Sequence, residues 1–257
     1  MTYILESQDE KERLKLQNTK PQYSIENEIK HLNLNLNGKK ILDAGCGIGS
    51  LSHLLAQKYN CSIEGCDFSH DRIQEAKLTF NPNTSFSVQD LTKLSLDNES
   101  FDYIFVRFVL EHTRDPYPIL RELRRVLKNN GELIVIDFDG LIFNLHHQSQ
   151  KLQYYIDALK EKLPIDLFIG RKLPRMLTEE NFELDECHIQ PLIFQKEDLE
   201  EEIKNMEMRF LQTKEITSSI LGAENYDNFV NLYTSEMRKS KIHFCNKFIL
   251  RATKTNA

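Results

Sequence analysis

Short apolar runs alternate with longer segments of mixed polarity through the first half of the chain. Within the longer segments, apolar residues recur at helical spacing around 51–59 and 119–127. The short runs have the length and composition of buried strands, and they lie at 41–42, 62–66, 85–88, 103–106 and 133–136. This alternation predicts an α/β fold, in which helices cover both faces of a parallel sheet with right-handed crossovers.

The pattern is looser after Asp139, where a stretch rich in Leu, Phe and His extends to about Gly170. Beyond it, the periodicity predicts a helix, a strand, two amphipathic helices and a last strand. These elements lie, in that order, at about 171–180, 182–189, 199–210, 226–237 and 244–251. The two amphipathic helices therefore form an insertion ahead of the last strand.

The composition narrows the class of partner. The chain has 257 residues, of which 40% are hydrophobic and 28% charged, as is typical of globular proteins. Its net charge of −6 argues against a nucleic-acid backbone as the main partner. The five cysteines include no C-x-x-C pair, so we expect neither a disulfide framework nor a metal site. No leader-like or membrane-spanning apolar segment is present, and we expect a cytoplasmic location without membrane contact.

A glycine-rich turn carries the first chemical signal. It lies in residues 41–49, Ile-Leu-Asp-Ala-Gly-Cys-Gly-Ile-Gly, directly after the first strand and directly before a helix. Glycines at such a turn let a ligand approach the backbone closely. Asp67 and Asp90 follow the second and third strands, at the sheet edge where small molecules bind. Asp67 lies about twenty residues past the turn, where a carboxylate can accept hydrogen bonds from both hydroxyls of a ribose.

A nicotinamide or flavin cofactor is the natural competitor for such a turn. Its fingerprint is G-x-G-x-x-G, but Ser50 and Ser52 occupy the third-glycine position in the two possible frames. Asp43, just before the glycines, would repel a pyrophosphate. The same carboxylate could suit the ammonium group of an amino acid, directly or by organising the loop. The residues therefore imply a ligand that is cationic at one end and carries a ribose at the other.

Together these motifs resemble those of the class I S-adenosylmethionine-dependent methyltransferases. The resemblance covers about residues 39–139, and a Leu-Glu-His segment after the fourth strand is similar to that of the small-molecule enzymes. The family fold is a doubly wound, mostly parallel seven-stranded sheet with an antiparallel last strand, here with an N-terminal helical segment and a helical insertion. The motifs that carry the resemblance are residues 43–49, Asp67, Gln89-Asp90-Leu91, Phe101-Asp102-Tyr103-Ile104 and Leu110-Glu111-His112.

The resemblance implies S-adenosylmethionine as the cofactor. The glycine loop would approach its methionine part, Asp67 would hold the ribose, and Asp90 would approach the adenine amino group. Arg107, at the end of the fourth strand, could pair with a carboxylate, the cofactor or another protein, or bind an acidic substrate. The full set of expected cofactor-binding residues is Asp43, Gly45, Cys46, Gly47, Gly49, Asp67, Phe68, Gln89, Asp90, Leu91 and Arg107.

The expected reaction is an in-line transfer of the methyl group to a small-molecule acceptor at the carboxyl edge of the sheet. Val106 is followed by Arg-Phe-Val rather than an Asn-Pro-Pro-Tyr type of motif, which disfavours methylation of nucleic acid bases. No catalytic residue is assigned, because a general base is optional for this reaction. Candidates for such a base are His112, Asp137 and Asp139.

With no repeat or linker in the sequence, we expect a single methyltransferase domain over 1–257. Within it we expect an N-terminal helical cap at 1–37, a cofactor-binding core at 38–139 and a substrate-side half at 140–257, with its insertion at about 197–239. The cap around Tyr23 and the late helices would cover the acceptor site as a lid. Phe138, Leu141, Ile142, Phe143 and Phe168 could be either pocket wall or core.

Two other functions stay open from sequence alone. One is a cofactor-binding or regulatory protein of the same fold without turnover. The other is a nicotinamide- or flavin-dependent oxidoreductase.

Overall fold

A seven-stranded sheet organises the computed structural model, which describes residues 20–147 and 149–255. Its strand order is β3-β2-β1-β4-β5-β7-β6, with β1 to β5 parallel and β7 antiparallel to both of its neighbours. The expected doubly wound sheet with an antiparallel last strand is therefore confirmed. The strands are β1 Lys40–Ala44, β2 Ser62–Asp67, β3 Thr84–Val88, β4 Phe101–Arg107, β5 Leu127–Asp139, β6 Phe182–Gln195 and β7 Ile242–Lys254.

The direction of the chain through the sheet reverses between β1 and β4. From β1 the chain moves outward to β2 and β3, and it then returns to place β4 on the other side of β1. Asp43 in β1 is level with Gly65 in β2 and Phe105 in β4, so the carboxyl ends of these strands meet at one edge. Such a switch point opens a crevice in which α/β proteins bind small molecules.

Helices cover both faces of the sheet. α1 and α2 pack on the face that carries Ile41 and Phe105, whereas α4 and α6 pack on the face that carries Leu42 and Val106. Neighbouring β1 residues thus point to opposite sides, as the period of a strand requires. The helices are α1 Ile25–Ile29, α2 Ser50–Lys58, α3 His70–Ala76, α4 Tyr117–Val126, α5 Gln150–Lys162, α6 Ile169–Glu179, α7 Glu197–Gln212, α8 Lys214–Leu221 and α9 Tyr226–Ser240.

A separate helical core lies beyond the carboxyl edge of β5. It contains buried residues from α5, α7 and α9, such as Tyr155, Met206 and Phe229, packed with Leu141 and Ile142 from the segment after β5. The three helices between β6 and β7 lie where the sequence places a helical insertion. Among the described residues, no helix has both the length and the apolarity that crossing a membrane requires.

Candidate functional site

The glycine loop between β1 and α2 is tied down on one side and open on the other. The N–H groups of Gly45 and Cys46 donate hydrogen bonds to the Cys66 carbonyl, at 2.7 and 2.9 Å, which fixes the loop to the end of β2. Gly45 and Gly47 have φ values of +78° and +54°, which L side chains rarely adopt. A Cβ on Gly45 would overlap the Val109 side chain, whereas one on Gly47 would meet nothing within 4 Å. The backbone at Gly47 is therefore open to a ligand.

The remaining loop residues pack inward. A Cβ on Gly49 would lie 3.0 Å from the Phe86 ring, so this glycine permits close packing against β3. Cys46 is buried in the same small cluster, with Ile73, Ala76 and Phe86. Burial raises the pKa of its thiol well above the usual value, so the Cys46 side chain is neutral. Any contact of Cys46 or Gly49 with a ligand would therefore come through the backbone.

Asp43 is buried at the end of β1, where it organises the loop. Its carboxylate accepts a hydrogen bond of 2.6 Å from the Ser52 hydroxyl on α2. Burial raises the pKa of Asp43 to about 6, and the Ser52 hydrogen bond opposes that rise. Asp43 thus links the end of β1 to the first turn of α2, which follows the glycine loop. Direct binding of an ammonium group by Asp43 stays a prediction.

Asp67 joins three elements at the end of β2. One carboxylate oxygen accepts the N–H of Gly47 in the glycine loop at 2.9 Å. The other accepts the N–H of Ser69, the residue that caps α3, at the same distance. Asp67 is only 7% exposed, so its carboxylate is held in one place beside the open backbone of Gly47. Its binding of a ribose stays a prediction.

The ends of β2 and β3 place further residues beside Asp67. Gln89 donates its backbone N–H to the Asp67 carbonyl at 3.0 Å. Asp90 accepts hydrogen bonds from the hydroxyl and the N–H of Thr92, which lower its pKa and keep it charged. The Phe68 ring is 47% exposed, whereas Leu91 is buried. This edge therefore offers an exposed ring and a charged acceptor to a flat heterocycle.

Arg107, at the end of β4, is paired with a carboxylate. Its Nε lies 2.6 Å from Glu28 on α1, and its Nη2 donates to the Tyr23 carbonyl at 2.9 Å. Lys247 of β7 donates to the same Glu28 at 2.6 Å and to the Gln22 carbonyl at 2.8 Å. Of the partners considered for Arg107 from the sequence, the structure shows a carboxylate, that of Glu28. Contact of Arg107 with the cofactor stays a prediction.

Two of the three candidate bases hold neighbouring segments in place. Asp137 is fully buried and accepts the N–H groups of Leu110 and Glu111, at 2.9 and 3.3 Å, and burial raises its pKa to about 7. Asp139 accepts two hydrogen bonds from the Arg171 guanidinium, at 2.7 and 2.8 Å, near the beginning of α6. The third candidate, His112, lines a cavity among the described residues.

That cavity has a volume of about 60 Å³ and lies between the Leu110–His112 turn and α5, α7 and α8. Leu141 and Ile142 line this cavity and also belong to the helical core, so both interpretations of the sequence apply to them. The cavity adjoins the glycine loop through Val109, which contacts Gly45 and precedes the turn. Its lining is Glu111, His112, Leu141, Ile142, Leu159, Leu163, Ile165, Leu167, Arg209, Phe210, Thr213 and Thr217.

The other aromatic residues near β5 pack on one another instead. Phe138 stacks on Phe108 at 4.2 Å and meets Tyr23 edge-on, whereas Phe143 stacks on Phe168 at 5.3 Å. No group of three His, Cys, Asp or Glu side chains that could hold a metal ion lies together in 20–147 and 149–255.

Comparison with known proteins assigns this architecture to a family. A family profile described as "Methyltransferase domain" matches residues 35–214, more than half of the chain. The chain belongs to the class I S-adenosylmethionine-dependent methyltransferases. The resemblance seen in the sequence motifs is therefore confirmed, and the match extends beyond them into α7 and α8.

One curated relative of the methyltransferase family is a 2-methyl-6-phytyl-1,4-hydroquinone methyltransferase from Synechocystis. It is 34% identical over 104 residues, which cover 40% of this chain and 33% of that protein. The match thus spans about a third of the relative's length.

Solved structures share the fold of this family member over most of its length. A Bacillus halodurans protein assigned to the methyltransferases has a TM-score of 0.63 at 18% identity, covering 91% of this chain and 99% of its own. Phosphoethanolamine N-methyltransferase 2 from Haemonchus contortus has a TM-score of 0.59 at 18% identity, covering 91% of this chain and 53% of its own. At such identities the likeness shows the fold alone.

Sequence reasoning missed the polar residues that line the cavity from the insertion. Arg209 lies on α7, Thr217 on α8 and Thr213 between them, whereas the sequence candidates came from strand ends and the segments directly after them. A signal existed for Arg209, because it lies between the buried Met206 and Phe210 on the amphipathic helix. Nothing in the sequence pairs Glu28 with Lys247, which lies 219 residues away.

Proposed function

We propose that this protein transfers a methyl group from S-adenosylmethionine to a small-molecule acceptor. The observation that carries the proposal is the glycine loop, which is open at Gly47 and is held there by Asp67. The same loop contacts Val109, and the turn that follows Val109 lines a largely apolar cavity. A cofactor on the loop and an acceptor in the cavity would thus be separated by one short segment of chain.

The residues at the sheet edge suit the parts of this cofactor. Asp67 would accept hydrogen bonds from the ribose, while Phe68 and Asp90 would hold the adenine ring and its amino group. The open backbone at Gly47 would face the methionine part, and the nearby Asp43 adds negative charge for its ammonium group. When bound, S-adenosylmethionine supplies a methyl group on a positively charged sulfur.

The contribution of the chain to such a reaction is mainly alignment. The cavity walls would hold the acceptor in line with the methyl group and exclude water from the reacting atoms. The Nε2 atom of His112 lies 3.5 Å from Oε1 of Glu111, and both residues line the cavity. If the acceptor is a hydroxyl, His112 is positioned to take up its proton.

The test is calorimetric titration with S-adenosylhomocysteine, the product form of the cofactor, on wild type and Asp67→Asn. A hydrogen bond to a charged group contributes roughly 1.5–3 kcal/mol, so we expect the variant to bind at least about tenfold more weakly. Asp97→Asn is the control, because Asp97 is an exposed carboxylate ahead of β4, at the opposite edge of the sheet. Its affinity should stay within about twofold of wild type.

Asp67 also accepts two backbone N–H groups, so its replacement could disturb the fold. Thermal unfolding of both variants should therefore be shown to be cooperative before their affinities are compared. Absence of binding by wild type would remove the methyltransferase proposal. Equal binding by wild type and Asp67→Asn would remove only the role of Asp67. Turnover in a mixture of small molecules with methyl-labelled cofactor would then separate an enzyme from a regulatory protein of the same fold.

A further inference from the structure

An arginine that forms no ion pair with any described residue lines the cavity. Arg209 lies on the inner part of α7, and its Nε is buried with no hydrogen-bond partner. In the described part of the chain, its side chain makes no hydrogen bond and no ion pair. Arg107 and Arg171 differ, because each makes a two-point contact with a carboxylate, Glu28 and Asp139 respectively. Arg209 is thus the arginine that the fold brings to a cavity without pairing it.

The Arg209 side chain as a whole is partly exposed, and it is its Nε–H that is buried without a partner. Buried donors are hydrogen-bonded in the great majority of cases, and buried charges are paired. Arg209, Glu111 and Glu202 all influence the pKa of the buried Cys245 thiol, so two carboxylates lie in the same region as the Arg209 charge. Both carboxylates have interactions of their own. A bound anion would supply the missing partner.

The rest of the lining indicates what kind of molecule carries that anion. Thr217 of α8 and Thr213, between α7 and α8, add hydroxyl oxygens to the lining. Their O–H groups already donate to the Thr213 hydroxyl and the Arg209 carbonyl respectively, which leaves Arg209 as the donor to an anion. The facing walls are apolar and come from α5 and from the segment after β5, with Leu141, Ile142 and Leu159 among their residues. The cavity thus offers a hydrocarbon surface with a cationic, hydroxyl-bearing side.

The remaining polar side of the cavity gives the orientation. Glu111 and His112 belong to the turn that follows Val109, next to the glycine loop. We infer that the acceptor is a small amphipathic acid whose carboxylate or phosphate group is bound by Arg209. Its apolar body lies against α5, and its methyl-accepting atom faces the Glu111–His112 side. The inference deepens the proposed function and rests on it for the identity of the ligand as an acceptor.

The experiment measures the binding of simple probes to wild type and to Arg209→Gln, with and without saturating S-adenosylhomocysteine. The probes are propionate, ethyl phosphate and the neutral propionamide, which share one small apolar group and suit a cavity of about 60 Å³. At least one anion should bind wild type about tenfold more tightly than propionamide, since a charged hydrogen bond is lost with the amide. In Arg209→Gln this preference should fall below about threefold. The tighter of the two anions identifies the carboxylate or the phosphate as the recognised group.

The matched control is Lys204→Gln, which removes an exposed cation from the same helix and should keep the preference of wild type. Arg209→Gln should also melt no lower than wild type, because no described partner loses its donor. Equal binding of anions and propionamide by wild type, or no binding of any probe, would overturn the inference. So would an anion preference that survives in Arg209→Gln.

The two proposals fail separately. If wild type does not bind S-adenosylhomocysteine, the methyltransferase proposal fails, while the probe titrations without cofactor still decide whether Arg209 binds an anion. If the cofactor binds and the anion preference is absent, only the inference about the acceptor fails.

Discussion

Two glycines of one loop have similar backbone angles and different surroundings. Both Gly45 and Gly47 adopt left-handed conformations, yet only Gly45 is packed against a side chain, that of Val109. A methyl group added at Gly45 would therefore disturb the fold. A methyl group added at Gly47 would instead occupy the open space that the proposed cofactor needs.

We expect Gly47→Ala to fold and to lose cofactor affinity. The left-handed angle costs an alanine about 1–2 kcal/mol, and the added methyl group should weaken S-adenosylhomocysteine binding at least about tenfold. Gly45→Ala should lose about 2–5 kcal/mol of unfolding free energy, because the clash with Val109 adds to the backbone cost. Urea unfolding and calorimetry measure the two quantities. Wild-type affinity in Gly47→Ala would show that the cofactor does not approach this side of the loop.

For individual residues, the sequence predicted which ones lie at the sheet edge but not what each one does. The glycine motif, Asp67 and Asp90 follow strands whose periodicity is legible, and parallel strands bring their ends together. Asp139 was a candidate base from the same reasoning, yet Arg171 on α6 holds its carboxylate. Which partner a charged group finds depends on tertiary packing, which a local pattern does not contain.

Among the elements, α1 is held to the sheet by a buried charge cluster. Glu28 and Lys247 are fully buried and paired, and Arg107 completes the cluster with its own contact to Glu28. One carboxylate thus serves two cations. Its removal would leave both without their counter-ion in a region of low dielectric.

Glu28→Gln should lower the free energy of unfolding by about 3–5 kcal/mol at about pH 7. Burial already lowers the pKa of Lys247, and Glu28 opposes that shift. Without Glu28 the pKa of Lys247 in the folded protein falls further, while that in the unfolded chain is unchanged. Between these two values the unfolded chain binds more protons, so stability rises with pH. The difference in unfolding free energy between wild type and Glu28→Gln should therefore shrink between about pH 7 and about pH 10, as measured by urea unfolding.

Glu26→Gln is the matched control on the same helix. Its ion pair with Lys58 is exposed, with side chains 57% and 47% accessible, so the change should stay below about 0.5 kcal/mol. A deficit in Glu28→Gln that does not vary with pH would contradict the titration of Lys247.

The sequence predicted elements well where their periodicity was undisturbed. It missed α5, although Leu152, Tyr155, Ile156 and Leu159 are buried at helical spacing and Ser149 caps the helix. This helical spacing was present in the sequence but was overlooked, because the stretch from Asp139 to Gly170 has no regular pattern as a whole. The sequence did not predict the break that separates α7 from α8. The Thr213 hydroxyl donates to the Arg209 carbonyl at 2.9 Å, a contact that bends helices but is common within straight ones too.

For the whole molecule, the position of β7 between β5 and β6 determines how much of the sheet depends on the last strand. β7 pairs over most of its length with both neighbours and also supplies Lys247 to the charge cluster. Without it, β6 has no neighbour within the sheet, and β5 presents an open apolar edge.

A chain that ends at Lys241 should therefore fail to unfold cooperatively in urea and should bind a dye that reports exposed apolar surface. A synthetic peptide of residues 242–255, added to the truncated chain, should restore a cooperative transition, because it carries the missing strand and Lys247. Cooperative unfolding of the truncated chain on its own would show that β1 to β5 suffice for a stable core.

The late position of β7 in the chain also has a consequence for the protein during its synthesis. A ribosome produces β5 and β6 more than forty residues before the strand that separates them. Until β7 emerges, β6 has no native neighbour and the edge of β5 that faces away from β4 is unpaired. Both can then pair wrongly, with each other or with strands of other nascent chains. Unpaired apolar edges are the surfaces that chaperones bind and that seed aggregation. The yield of native protein in a cell should thus depend on how long the ribosome takes to translate residues 196–241.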